Sequence, residues 1–181
     1  MNLKQYIFEY LRKKMPAREV RFPHFDQPLK IMVIYESDYL ERNDAIKAIR
    51  QDLLRRGMDV TMWGFLAKKE IQTLILPQSR ILGLGDYNLL GKLRDYALTD
   101  LRAEHYDLLL DLSTRPLLPL RYLAMYTDAD FKVGLNLGEG LHDMLISPPD
   151  FTPEQGEEAA IEATWLYEQI MNFVTTIKSN D

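Results

Sequence analysis

Apolar positions along the chain alternate between strand-like runs and helical stripes. Leu29-Lys30-Ile31-Met32-Val33-Ile34-Tyr35 is a short run of strand formers, as expected of a central parallel strand covered on both faces. Asp59 to Phe65, Ile81 to Leu84 and Phe131 to Leu135 read as further strands, and Met144-Leu145-Ile146 as a short edge strand. Tyr106-Asp107-Leu108-Leu109-Leu110-Asp111-Leu112 gives the clearest strand signal of all.

Helical spacing appears between these runs. Leu3, Tyr6, Ile7, Tyr10 and Leu11 share one face of a helix over 3–14, which Pro16 ends, and Pro16, Pro23 and Pro28 mark an extended connector over 15–28. Asn43 is placed to cap a helix whose stripe is Ala45, Ile46, Ile49 and Leu53, with Gly57 at its left-handed end. A helix with no defined start ends near Glu104. Another carries Leu118, Tyr122 and Met125, with Ser113 or Thr114 as its cap and Pro116 in its first turn. Thr152 opens Thr-Pro-Glu-Gln, a capping box ahead of the stripe Ala159, Ala163, Leu166, Ile170, Phe173 and Ile177. Residues 66–80 fit neither period.

Strands and helices in alternation predict a three-layer Rossmann-like α/β sandwich. Its mostly parallel sheet would have about five or six strands, with an extra N-terminal helix and a long C-terminal helix. The expected organisation is an N-terminal helix and connector over 1–28 and a single domain over 29–181. In such folds ligands lie beyond the carboxyl ends of the strands, so the fold locates a site before any chemistry is assigned.

Composition narrows the chemistry. The 181 residues include no cysteine, which removes disulfides, thiolate metal sites and cysteine nucleophiles. The formal charge is −5, against nucleic-acid binding. No segment approaches the roughly 18 apolar residues of a membrane span, and the first residues lack a signal-peptide pattern, so a cytoplasmic protein is expected. The charge is uneven: residues 1–30 carry seven Lys or Arg against three acids, and residues 150–181 one Lys against seven acids. Either the two termini lie near each other, or Arg12, Lys13, Lys14, Arg18 and Arg21 form a patch for an anionic partner.

The candidate pocket falls at two strand ends. Glu36, Ser37 and Asp38 follow the first strand, while Asp111, Ser113, Thr114 and Arg115 close the Tyr106 strand. If these strands are neighbours, acids, hydroxyls and a guanidinium face one crevice suited to a polar or anionic ligand. The alternative is structural, with Ser113 or Thr114 capping a helix and Asp111 accepting loop amides. Gly83-Leu84-Gly85-Asp86 is followed by glycine only at Gly91, so the dinucleotide spacing fails, and Gly91-Lys92-Leu93 lacks a P-loop hydroxyl. Asp128-Ala129-Asp130 matches a short cation-holding pattern, yet before a strand it reads as a solvated turn. His24, His105 and His142 have no paired-ligand spacing. No metal and no cofactor are expected.

Tyr106 to Ser113, followed by a short helix and Phe131-Lys132-Val133-Gly134-Leu135, resembles a family of short bacterial α/β proteins of unknown function over about Lys30 to Ile146. More distantly, the pattern is similar to the N-terminal, acceptor-side domain of ADP-heptose-dependent glycosyltransferases. That likeness implies a loop Asp acting as base, for which Asp44, after Asn43, is the nearest position. Those enzymes hold the sugar nucleotide mainly in a second Rossmann-like domain, and this chain ends where that domain would begin.

The leading expectation is therefore a non-catalytic protein acting by binding or self-association, with the first helix as a homodimer contact or a cap on the domain. The alternative is a small sugar- or nucleotide-binding protein, or a glycosyltransferase-like enzyme, using Glu36, Asp38, Asp44, Asp111 and Arg115. A third reading has the basic first helix bind an anionic membrane surface.

Overall fold

The computed structural model describes residues 2–37, 41–67, 79–137, 140–148 and 162–177, the side chains of 41–43 excepted. Six strands, β1 (Lys30–Glu36), β2 (Asp59–Phe65), β3 (Ser79–Leu82), β4 (His105–Asp111), β5 (Asp128–Leu135) and β6 (Met144–Ile146), form one sheet in the order β3-β2-β1-β4-β5-β6. Every pairing is parallel. This is the expected α/β sandwich, with the sheet wholly parallel rather than mostly so.

Two apolar layers enclose the sheet. Ile31, Val33 and Tyr35 of β1 face α2 (Glu41–Arg55) and α5 (Ala163–Thr176), through Ile46, Ile49, Leu166 and Ile170. Met32 and Ile34 face the opposite layer, made by α1 (Leu3–Lys13), α3 (Asp95–Arg102) and α4 (Leu118–Tyr126). A strand buried on both faces cannot alternate polar with apolar, which explains its unbroken apolar run.

Local chemistry sets several boundaries. Gly57 adopts φ +79° after α2. Met58 N–H bonds to Leu53 O and Gly57 N–H to Leu54 O, the two bonds of a Schellman end, as its position suggested. Asn43 does not cap this helix. Its backbone is already helical because α2 begins at Glu41. Likewise α4 begins only at Leu118, with Leu117 as cap residue and Pro119 in the first turn. Ser113, Thr114 and Pro116 precede it, since the chain needs several residues to climb from the sheet into the helical layer. Thr152 and Ala159 lie outside the described residues.

The first helix buries a different face from the one its spacing suggested. Phe8 is fully buried, packing edge-on against Tyr122 of α4 with ring centroids 5.1 Å apart. Arg121 lies over the Phe8 ring and pairs with Glu9. Leu3, Tyr6 and Tyr10 are exposed. The helix is rotated because α4 offers an aromatic socket that one Phe fills best, while a tyrosine there would bury its hydroxyl.

Of the proposed basic patch, much is spent within the fold. Arg18 donates to Ala129 O and Asp130 O, both at 2.9 Å, and pairs with Asp143, binding the connector to the edge of β5. Arg12 pairs with Glu9 and Arg21 with Glu19. Beneath this edge Lys132 is buried, its ammonium donating to Ala124 O at 2.7 Å near the end of α4. Thr127 Oγ1 satisfies Leu123 O in the same turn. Burial, with Arg18 adding to it, pushes the Lys132 pKa down to about 8. Among the described residues no helix is long and apolar enough to cross a membrane.

Two outcomes follow. Phe8→Ala should cost about 3 kcal/mol or more in urea unfolding, and Tyr6→Ala within about 0.5 kcal/mol. Equal costs would contradict the observed helix face. Because Lys132 loses its proton at a lower pH in the folded than in the unfolded chain, its contribution rises with pH from about 8 towards 10.5. Between about pH 7.5 and about pH 9.5 the wild type should gain about 1 to 2 kcal/mol relative to Lys132→Met. Parallel pH profiles would rule this out.

Candidate functional site

The chain leaves β1 for β2 on one side and β4 for β5 on the other. Right-handed crossovers then force α2 and α4 onto opposite faces, so the adjoining carboxyl ends of β1 and β4 form the switch point where sheets of this kind place their ligand crevice. The two strands are direct neighbours, with Ile34 opposite Asp111 and Leu112 N–H bonded to Ile34 O at 2.9 Å. The condition placed on the candidate pocket is thus met for its two strand ends.

Glu36 ends β1, and Ser37 N–H bonds to Phe65 O at 2.8 Å, holding this end of the strand against β2. Across the crevice Arg115 grips Glu36 with two nitrogens, Nε donating to Oε2 at 2.8 Å and the second nitrogen to Oε1. The Glu36 side chain is only 10% exposed while that of Arg115 is 54% exposed. Arg115 therefore lies over Glu36 as a planar fork on a more exposed side chain.

Asp111 is buried and held at both oxygens. Ser113 N–H donates to Oδ1 at 2.9 Å, and His142 Nε2 lies 2.9 Å from Oδ2. The expectation that Asp111 accepts a loop amide is met at Ser113, yet the second partner is a histidine that spacing did not connect to it. An ionised Asp111 only accepts, so Nε2 carries the hydrogen of this contact, and a neutral ring keeps Nδ1 as an acceptor. The ring fits because position 134 has no side chain. A Cβ there would stand 2.9 Å from His142 Nε2 and 3.1 Å from Asp111 Cβ. A glycine inside a strand is the one sequence signal for such an approach, and Phe131-Lys132-Val133-Gly134-Leu135 contains it.

Ser113 is buried, and among the described residues its hydroxyl has no hydrogen-bond partner. An unpaired buried hydroxyl costs free energy, commonly about 1 to 3 kcal/mol, unless a ligand or water satisfies it. Thr114 is half-buried in the bend that follows. Asp44 stays apart from this group: it is 78% exposed on α2 and pairs with Lys47 at 3.1 Å. Asp38 lies outside the described residues.

The Asp128-Ala129-Asp130 triplet proves not to be a turn. Both carboxylates belong to the amino-terminal end of β5, opposite the strand ends that carry the candidate site, and His105 bridges them through Nδ1 at 3.0 Å and Nε2 at 3.3 Å. The hydrogen bond that His105 donates to Asp128 raises the His105 pKa above the ordinary imidazole value. Strand pairing made this arrangement, since His105 sits opposite Asp128 in register. Among the described residues, no group of three or more His, Asp or Glu side chains is disposed to hold a metal ion.

A family model described as a family of unknown function (DUF6913) matches residues 2–157, and thus also α1 and the connector. No curated protein and no solved structure matches the chain.

The Gly134 contact is open to a double-mutant cycle. Gly134→Ala should cost about 1 to 3 kcal/mol by forcing His142 off Asp111, and clearly less in a His142→Ala background. Strict additivity would show that the missing side chain at 134 does not serve the histidine.

Proposed function

We propose, for a chain that belongs to the DUF6913 family of unknown function, that it binds a small anionic or sugar-like ligand in the crevice between β1 and β4. The reading is one of binding without catalysis. The observation that carries it is the clustering of Glu36, Arg115, Asp111, His142 and the unsatisfied Ser113 hydroxyl where the helices part. Phosphate or carboxylate groups match the guanidinium fork, which can exchange one carboxylate oxygen of Glu36 for a ligand oxygen. The Ser113 hydroxyl supplies a donor whose burial is then compensated.

Support for a non-catalytic role comes from Ser113, whose hydroxyl makes no hydrogen bond to His142, so the two are not assembled as a nucleophile and its base. A sugar-transfer reading has less behind it, because Asp44, the position that the glycosyltransferase likeness would make the base, is exposed and paired with Lys47. Self-association is the second part of the proposal. Leu3, Tyr6 and Tyr10 form an outward apolar row on α1 that packing against α4 leaves uncovered.

A thermal-shift panel of nucleotides, nucleotide sugars and phosphorylated sugars tests the crevice. A ligand at about one hundred times its Kd should stabilise the native state by about 2.7 kcal/mol. Arg115→Gln, read against its own unliganded baseline, should lose most of that shift. An unresponsive panel, or a shift that survives in Arg115→Gln, would rule the reading out.

A further inference from the structure

A cavity of about 520 Å³ lies between the start of α1, the loop 84–94 and the start of α4. Its volume falls in the range of small-molecule sites. None of Glu36, Asp111, Ser113, Arg115 and His142, around the ends of β1 and β4, lines it. Apolar walls come from Leu84, Leu89, Leu118 and Pro119, and the charged groups are Lys4 and Arg94. Among the described residues the lining contains no acid, in a chain whose formal charge is −5. Among the described residues neither cation forms an ion pair, and Arg94 is engaged only through Nε, which donates to Gly85 O at 2.8 Å.

The walls are tied in place. Asn88 Oδ1 accepts the Leu90 and Lys92 N–H groups, both at 3.0 Å, and Tyr87 bridges to Leu93, so the loop is closed on itself. Tyr87 Oη donates to Pro119 O at 3.3 Å, joining the loop to α4. Gly91, at φ +79°, lets the loop pass Leu118, where a Cβ would approach Cδ2 to 3.1 Å. Leu117, the cap residue of α4, has no side-chain acceptor, so the positive end of that helix adds to the two cations. Leu89 is 94% exposed at the rim, a position that solvent alone does not favour for a leucine.

The geometry points to a second binding site, in which this cavity takes an organic anion with an apolar body, its carboxylate between Lys4 and Arg94 and its chain against Leu84, Leu89 and Leu118. Among the described residues, cations without carboxylate partners beside an apolar wall match this ligand class and disfavour neutral or cationic ones. The inference stands apart from the crevice ligand.

Isothermal titration of the full chain with decanoate, and separately with decanol, tests it. Decanoate should saturate at one site per chain, with decanol binding about tenfold more weakly or worse. Lys4→Glu combined with Arg94→Gln should weaken decanoate about tenfold or more while leaving decanol within about twofold, and circular dichroism should confirm that the variant is folded. Arg115→Gln should bind decanoate as the wild type does. The inference is overturned by an absence of saturable binding, by equal affinity for decanoate and decanol, or by indifference to the charge changes. Loss of decanoate binding in Arg115→Gln would overturn it too, by moving the anion to the crevice.

Discussion

The structure depends on the pairing of β1 with β4. Both strands are apolar on both faces, and their register sets Ile31 to Ile34 beside Leu108 to Asp111. A parallel pair with polar residues on either face would leave that face unable to accept a helical layer. With both faces apolar, the chain covers one with α2 and α5 and the other with α1, α3 and α4. The handedness of the crossovers then separates α2 and α4 at this seam. The crevice, and the polar residues around it, are consequences of the pairing.

The second layer shows how the fold accommodates groups that an apolar interior disfavours. Lys132 is buried at the end of α4, where carbonyl groups lack intrahelical partners, and its ammonium meets one of them. Arg18 and Asp143 stand over the same edge, so charge is distributed around the lysine rather than excluded. The depressed Lys132 pKa reflects the cost of that burial. The α1 helix adds Phe8 to this layer, and Glu9 pairs with Arg121 to join α1 to α4. The match of the family model from residue 2 onwards includes this helix.

Much of the architecture was legible in local pattern. The spans of β2 and β6 coincide with their apolar runs, and Gly57 sits in the left-handed position its place after α2 suggested. Of the candidate site, Glu36, Ser37, Asp111, Ser113 and Arg115 were legible because the carboxyl ends of strands can be read from the runs themselves. His142 was not, since its link to Asp111 spans 31 residues and rests on the missing side chain at Gly134. Helix starts were misplaced at Asn43 and Ser113 because several polar residues near a boundary can each serve as a cap, and tertiary packing selects where the first turn begins.

The sequence by itself determined which segments are extended, which are helical and which ends carry polar groups, because burial on one or two faces writes itself into residue spacing. Only the tertiary structure decided that Arg115 grips Glu36, 79 positions away, that His142 meets Asp111, and that α1 turns Phe8 rather than Tyr6 inward. Those outcomes depend on what faces each residue across a layer or a seam. No local period encodes the shape of the opposing surface.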